Sequence, residues 1–195
     1  DAAARGFAED AAMFEGLGCL TPHLVMVEGA PERARRTAKV LSLEFSRLQL
    51  RWPRRRGRLE GESARRIFID SAQVSALAND DELLARGRGD QWCVHLDPRA
   101  RMRPGPGGRT VKVIPAGERA GALAMLAEAE EPLAAVGLAM EENERGFGEL
   151  KRAFSHLGAS LICAPGLMQR PPLAWQQNGR RRLGDLLCWQ VEEKP

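Results

Sequence analysis

The residue with the most chemistry to offer is Cys19, inside Gly16-Leu-Gly-Cys-Leu-Thr-Pro-His-Leu-Val-Met-Val-Glu28. It falls between the end of an apolar-striped helical segment and a strand-like run, in a turn loosened by Gly16 and Gly18. A thiol held there is oriented by rigid elements yet open to substrate, and neighbouring backbone N–H groups can stabilise an oxyanion. The thiolate is the most nucleophilic side chain near neutral pH. The competing reading is a small buried hydrophobe, the usual fate of a lone cysteine. His23, four residues on, can position or activate the thiol or serve as an ordinary strand histidine. Thr21 contributes a hydroxyl beside it.

Positioning such a group needs a framework, and the pattern supplies one. Ala4, Phe7, Ala8, Ala11 and Phe14 give a helical stripe over residues 2–14, and 23–28 reads as a strand. Pro31 opens a second helix whose buried stripe is Ala34, Ala38, Leu41, Phe45 and Leu48. Residues 51–61, with Pro53, Gly57 and an arginine run around Trp52, read as an exposed loop. Further helices are expected over 62–78, 117–130, 144–157 and 183–189. Strands are expected over 92–97, 109–115, 133–140 and 159–164. Alternating strand and helix favours an α/β fold, an open, mainly parallel sheet flanked by helices.

Composition narrows the class. The chain has 195 residues, 44% hydrophobic and 28% charged, enough for a packed core and too apolar for disorder. A net charge of +3 says little about a nucleic-acid partner, and none is expected because no recognised nucleic-acid module accompanies the arginine run 51–58. The sequence carries no 18-residue apolar stretch for a membrane span and no signal peptide. The cysteines, Cys19, Cys93, Cys163 and Cys188, are scattered without metal-ligand spacing and read as reduced thiols in a cytoplasmic protein. Cys93, Cys163 and Cys188 read as core. Glu141, Glu142 and Glu144 suit a helix N-terminus better than a site. Met168, Gln169 and Trp175 fall in a loop with Pro171 and Pro172, whose apolar members either line an acyl channel or pack against the body.

Several segments, in order, carry a family likeness. Ala11-Ala-Met-Phe-Glu-Gly-Leu-Gly-Cys-Leu-Thr-Pro-His resembles the nucleophile segment of the long-chain acyl-CoA reductases (LuxC), with Thr21 where that family has Ser. Arg109-Thr-Val-Lys-Val-Ile-Pro and Leu133-Ala-Ala-Val-Gly-Leu resemble two of its strands. Gly158-Ala-Ser-Leu-Ile-Cys-Ala-Pro-Gly-Leu-Met-Gln-Arg-Pro-Pro-Leu-Ala-Trp, followed by Asn178-Gly179, is similar to a further segment of some members.

The resemblance implies an aldehyde dehydrogenase fold. It makes Cys19 the acceptor of an acyl group from acyl-CoA or an acyl-protein thioester, and hydride from NADP(H) or NAD(H) then releases a fatty aldehyde. It assigns Thr21, His23, Met168, Gln169 and Trp175 to substrate and Arg109 and Thr110 to cofactor. It also implies that residues 1–195 are one catalytic lobe, with the nucleotide-binding lobe outside the chain, and allows a homo-oligomer or an acyl-transfer partner. Two departures stand out. Gly105-Pro-Gly-Gly replaces the Glu-x-Phe-Gly-Pro that usually reaches the cofactor ribose, and no Gly-x-Gly-x-x-Gly fingerprint occurs. A glutamyl-phosphate reductase or other semialdehyde dehydrogenase is the alternative within the superfamily. From another class, the alternative is a non-catalytic protein-interaction module.

Overall fold

The computed structural model describes residues 2–54, 59–129, 133–177 and 180–181. Among these residues, five helices surround short strands. Helix α1 (Ala2–Ala12) runs into a 3-10 turn (Met13–Gly16), then strand β1 (Leu24–Glu28) and helix α2 (Pro31–Arg51). Helix α3 (Leu59–Ala78), strands β2 (Leu83–Arg86), β3 (Cys93–Leu96) and β4 (Thr110–Gly117), and helix α4 (Arg119–Ala127) follow. Strand β5 (Ala135–Gly137), helix α5 (Phe147–His156), strand β6 (Leu161–Cys163) and the pair β7 (Gln176–Gln177) and β8 (Arg180–Arg181) close the order.

The main sheet has strand order β1-β4-β3-β2. Strand β4 pairs parallel with both β1 and β3, and β2 lies antiparallel on the far edge. Central strand β4 is buried over nearly its whole length, as expected of a strand covered on both faces. On one face Val25, Val27, Val94, Leu96, Val111 and Val113 meet the α2 stripe. That stripe is the one the periodicity gives: Ala34, Ala38 and Leu41 are fully buried, and Phe45 stacks on Trp92 with ring centroids 6.0 Å apart. Helix α1 packs through Ala8, Ala11 and Ala12 into the same core.

The opposite face is polar and nonetheless buried. There Arg65 of α3 donates to Thr110 Oγ1 at 3.0 Å, and Phe68 meets the His95 ring edge-on. Lys112 Nζ lies 3.0 Å from Asp97 Oδ2 and donates to the Arg101 carbonyl at 2.7 Å. Glu82 accepts from Ser75 and Arg99. Each charge therefore has a partner, without which its burial would be prohibitive.

Strands β5 and β6 form a separate parallel pair. Leu150, Phe154 and Ala159 pack on one side of it with apolar residues of α4. Leu20 and Trp175 pack on Leu161 on the other side. The open, mainly parallel sheet flanked by helices that alternation predicts is present as β1-β4-β3-β2, and β5–β6 stands beside it as a separate parallel pair.

Other boundaries also move. The helix expected over 62–78 begins at Leu59, and Arg51 still belongs to α2. Strand β2 was not expected, because Leu-Leu-Ala-Arg lacks a β-branched or alternating pattern. Only Ala135–Gly137 of the apolar run 133–140 is strand. The loop expected over 51–61 is not simply solvated: Trp52 packs on the main core, and Arg54, its side chain 8% exposed, pairs with Glu62. Asn178-Gly179, Cys188 and the helix expected over 183–189 lie outside the described residues.

Candidate active site around Cys19

Cys19 is exposed, on the turn between the 3-10 segment Met13–Gly16 and strand β1. The thiol is delivered by three consecutive residues in the left-handed region, Phe14 (φ 53°), Glu15 (φ 59°) and Gly16 (φ 70°). Such angles cost a non-glycine residue about 1 kcal/mol or more and persist only where the surroundings enforce them. The enforcement is visible. A second left-handed run, Gly107 (φ 80°), Gly108 (φ 63°) and Arg109 (φ 61°), lies against the first, and Gly108 N–H donates to the Gly16 carbonyl at 3.2 Å. Arg109 holds Glu15, its Nε lying 3.3 Å from Glu15 Oε2. Past the thiol, Thr21 N–H closes the turn onto the Gly18 carbonyl at 3.0 Å, so that N–H is not a donor for an oxyanion.

The turn is bracketed from below by residues 165–169. Gln169 Nε2 donates to Thr21 Oγ1 at 3.2 Å, and a side chain on Gly18 would meet Gln169 Oε1. Met168 is buried against Gly137 and Phe7. Fully buried Asp10, on the helix leading to Cys19, accepts from Gly166 N–H at 2.6 Å and Gln169 N–H at 3.4 Å. Burial pushes its carboxyl above the ordinary range, and the N–H groups of Gly166, Met168 and Gln169 oppose that shift. Leu20, next to the thiol, packs with Trp175, whose indole N–H donates to Ser160 Oγ at 3.2 Å.

A groove of about 1400 Å³ runs from Cys19 along β1 toward β5. Val25, Val27, Val136, Leu138, Phe154 and Met168 give it apolar wall, and Arg33, Arg36, Arg103 and Arg119 reach it from the sides. Of the residues expected to meet substrate, Thr21, His23 and Met168 line this groove with Cys19. Gln169 touches the turn through Thr21, and Trp175 lies behind Leu20. His23 also faces Gly107, and its carbonyl accepts from the Gly105 and Lys112 N–H groups at 3.2 and 3.1 Å.

Arg109 and Thr110 are placed differently. The Arg109 guanidinium turns inward to the Trp52 carbonyl (2.7 Å), Gln49 and Glu15, and Thr110 faces Arg65. Both are committed within the fold, and neither offers a cradle for a dinucleotide phosphate. These two residues therefore do not supply the nucleotide contacts expected of them. The other two described cysteines, Cys93 and Cys163, differ from Cys19 in setting. Burial pushes the Cys93 thiol up to about 12 and the Cys163 thiol up to about 11. No group of three or more His, Cys, Asp and Glu among the described residues could hold a metal ion. No helix among them is long and apolar enough to cross a membrane.

Sequence reasoning missed Asp10. Its signal was an acidic residue at the edge of an alanine-rich buried stripe, which by itself reads as a solvated helix face.

No curated protein matches this sequence. The family model of the acyl-CoA reductases (LuxC), by contrast, matches residues 1–189. The match spans every described strand and helix, the cysteine turn and the bracket beneath it, so the chain belongs to the LuxC family of acyl-CoA reductases.

Proposed function

We propose that Cys19 is the nucleophile of a fatty acyl-CoA reductase and carries the acyl group as a thioester. Membership of the LuxC family supports the reaction class. The observation that carries the residue assignment is an exposed thiol on a turn locked on both sides, opening onto a largely apolar groove. The Cys19 thiolate attacks the thioester carbonyl, forming a new C–S bond. The bond to the CoA sulfur then breaks, and CoA leaves as a thiolate that takes up a proton. The acyl chain lies in the groove, and Thr21, His23 and Met168 contact the substrate around the reacting carbon. Gln169 holds the Thr21 hydroxyl, and Trp175 backs Leu20.

Reductases of this family generally draw their hydride from NADPH. Reduction of the acyl group to an aldehyde requires that donor. Arg109 and Thr110 are engaged within the fold, so the nucleotide contacts assigned to them fall to other residues. We infer that residues 1–195 work as one catalytic lobe with a separate nucleotide-binding lobe.

Intact-mass spectrometry after mixing the protein with short- and long-chain acyl-CoA tests the assignment. One acyl adduct per chain is expected, favouring the long chain and absent from Cys19→Ala. An adduct that survives in Cys19→Ala would refute it.

A further inference from the structure

We propose that Asp10 is a positioning residue for the nucleophile, acting through residues 165–169 and Gln169 to fix the Cys19 turn. The proposal rests on the reading of Cys19 as nucleophile. Asp10 and Gly166 are 156 residues apart in sequence, yet the carboxylate takes the Gly166 N–H at 2.6 Å and the Gln169 N–H at 3.4 Å. A charge-assisted bond of that length is among the stronger ties available to a backbone, and here it sits at zero exposure.

The two chain segments it joins both end at the thiol. Asp10 lies on α1, nine residues before Cys19. Gln169 reaches the other side of the same turn, donating to Thr21 Oγ1 at 3.2 Å and lying against Gly18. Three links in series, Asp10 to the 166–169 backbone, Gln169 to Thr21, and α1 to the turn, enclose Cys19 in a closed frame. The frame also has little slack. A Cβ on Gly6, one turn before Asp10, would lie 2.5 Å from the Pro165 carbonyl carbon, so helix and loop already touch backbone to backbone. Asp10 does not itself line the groove, which it meets only through the backbone of Met168, and it is not a catalytic residue.

Asp10→Asn preserves shape but turns an NH2 group or a weaker neutral acceptor toward backbone N–H donors. The loop then shifts, Gln169 leaves Thr21, and the thiol loses its attack geometry. A misplacement of about 1 Å can cost roughly a hundredfold in rate.

The experiment measures acylation by intact mass in the intact protein, with acyl-CoA and without reductant, for wild type, Asp10→Asn, Gln169→Leu, the double variant and Cys19→Ala. Each single variant should acylate at least about tenfold more slowly at saturating acyl-CoA, with the half-saturating concentration little changed. The double variant should be no slower than the slower single, because both break one chain of contacts. A purely structural carboxylate would lower Tm and leave the saturated rate and the coupling unmoved.

Asp10→Asn folded and acylating at the wild-type rate, or single losses that multiply in the double variant, overturns the proposal. If Asp10→Asn is unfolded at the assay temperature, Gln169→Leu decides: a tenfold loss supports the frame and a full rate overturns it. An adduct kept by Cys19→Ala overturns the nucleophile and this proposal together. An adduct lost there but formed at full rate by Asp10→Asn overturns only the role of Asp10.

Discussion

Replacing Gly6 with Ala sets a helix rule against a packing rule. Gly6 lies inside α1, where glycine is about 0.5–1 kcal/mol worse than alanine, so the exchange should stabilise an isolated helix. In the folded protein the added methyl would lie 2.5 Å from the Pro165 carbonyl carbon, 2.8 Å from Gly166 N, and closer still to the Pro165 oxygen. All three neighbours are backbone atoms, held in place by the Asp10 carboxylate, so they cannot swing aside as a flexible side chain would. Overpacking of this kind costs about 1–3 kcal/mol, and an unyielding neighbour points to the upper half of that range. Subtracting the helix gain leaves a net destabilisation of about 1–2.5 kcal/mol, which for a chain of this size lowers Tm by about 2–10 °C.

The same displacement carries Gln169 away from Thr21, so acylation of Cys19 should slow together with the loss of stability. Thermal unfolding followed by circular dichroism, paired with adduct formation by intact mass, reads both effects. A Gly6→Ala protein with a raised Tm and an unchanged acylation rate would refute the close-approach argument and the coupling of loop to thiol.

Two further outcomes follow from buried titratable groups. Burial lowers His95 from 6.5 to about 4, outweighing Asp97 nearby, so the folded state holds it neutral where the unfolded chain is already protonated. The sign follows: its contribution to stability is intact above about pH 6.5 and is lost as pH falls toward 4. Urea denaturation should show about 2 kcal/mol lost from this group between pH 7 and pH 5, a difference that His95→Gln should remove; an equal pH slope in wild type and variant would count against it. Among the thiols, iodoacetamide at pH 8 in a Cys188→Ser background should label Cys19 first and leave Cys93 and Cys163 largely unmodified until urea is added, since burial pushes the latter two up to about 12 and about 11. Peptide mapping showing Cys93 labelled as fast as Cys19 would contradict the burial.

Much of the framework was legible in the residues because the signals are local. The α2 stripe from Ala34 to Leu48 follows a 3.6-residue period that only one helix face can satisfy, and Pro31 marks its start. The run before Glu28 reads as a strand and is one, and Cys19 stands between helix and strand as its glycines suggest. Family likeness came from several short segments whose order matters more than any one of them, and the match over residues 1–189 accords with that.

What the sequence by itself determined, then, was the helix or strand character of the strongly patterned segments, such as α2, β1 and β4, and that a thiol lies at one junction between them. Tertiary structure alone decided what surrounds that thiol. Gln169 meets Thr21 across 148 residues, Asp10 meets Gly166 across 156, and Arg109 turns inward to Trp52 rather than outward to a ligand. It also set β5 and β6 apart from the main sheet and buried Lys112, Asp97, His95 and Glu82 on a face that their residue types would have assigned to solvent. The reason is physical. Periodicity records how one element divides between core and water, whereas a hydrogen bond between distant segments leaves no periodic trace in either of them.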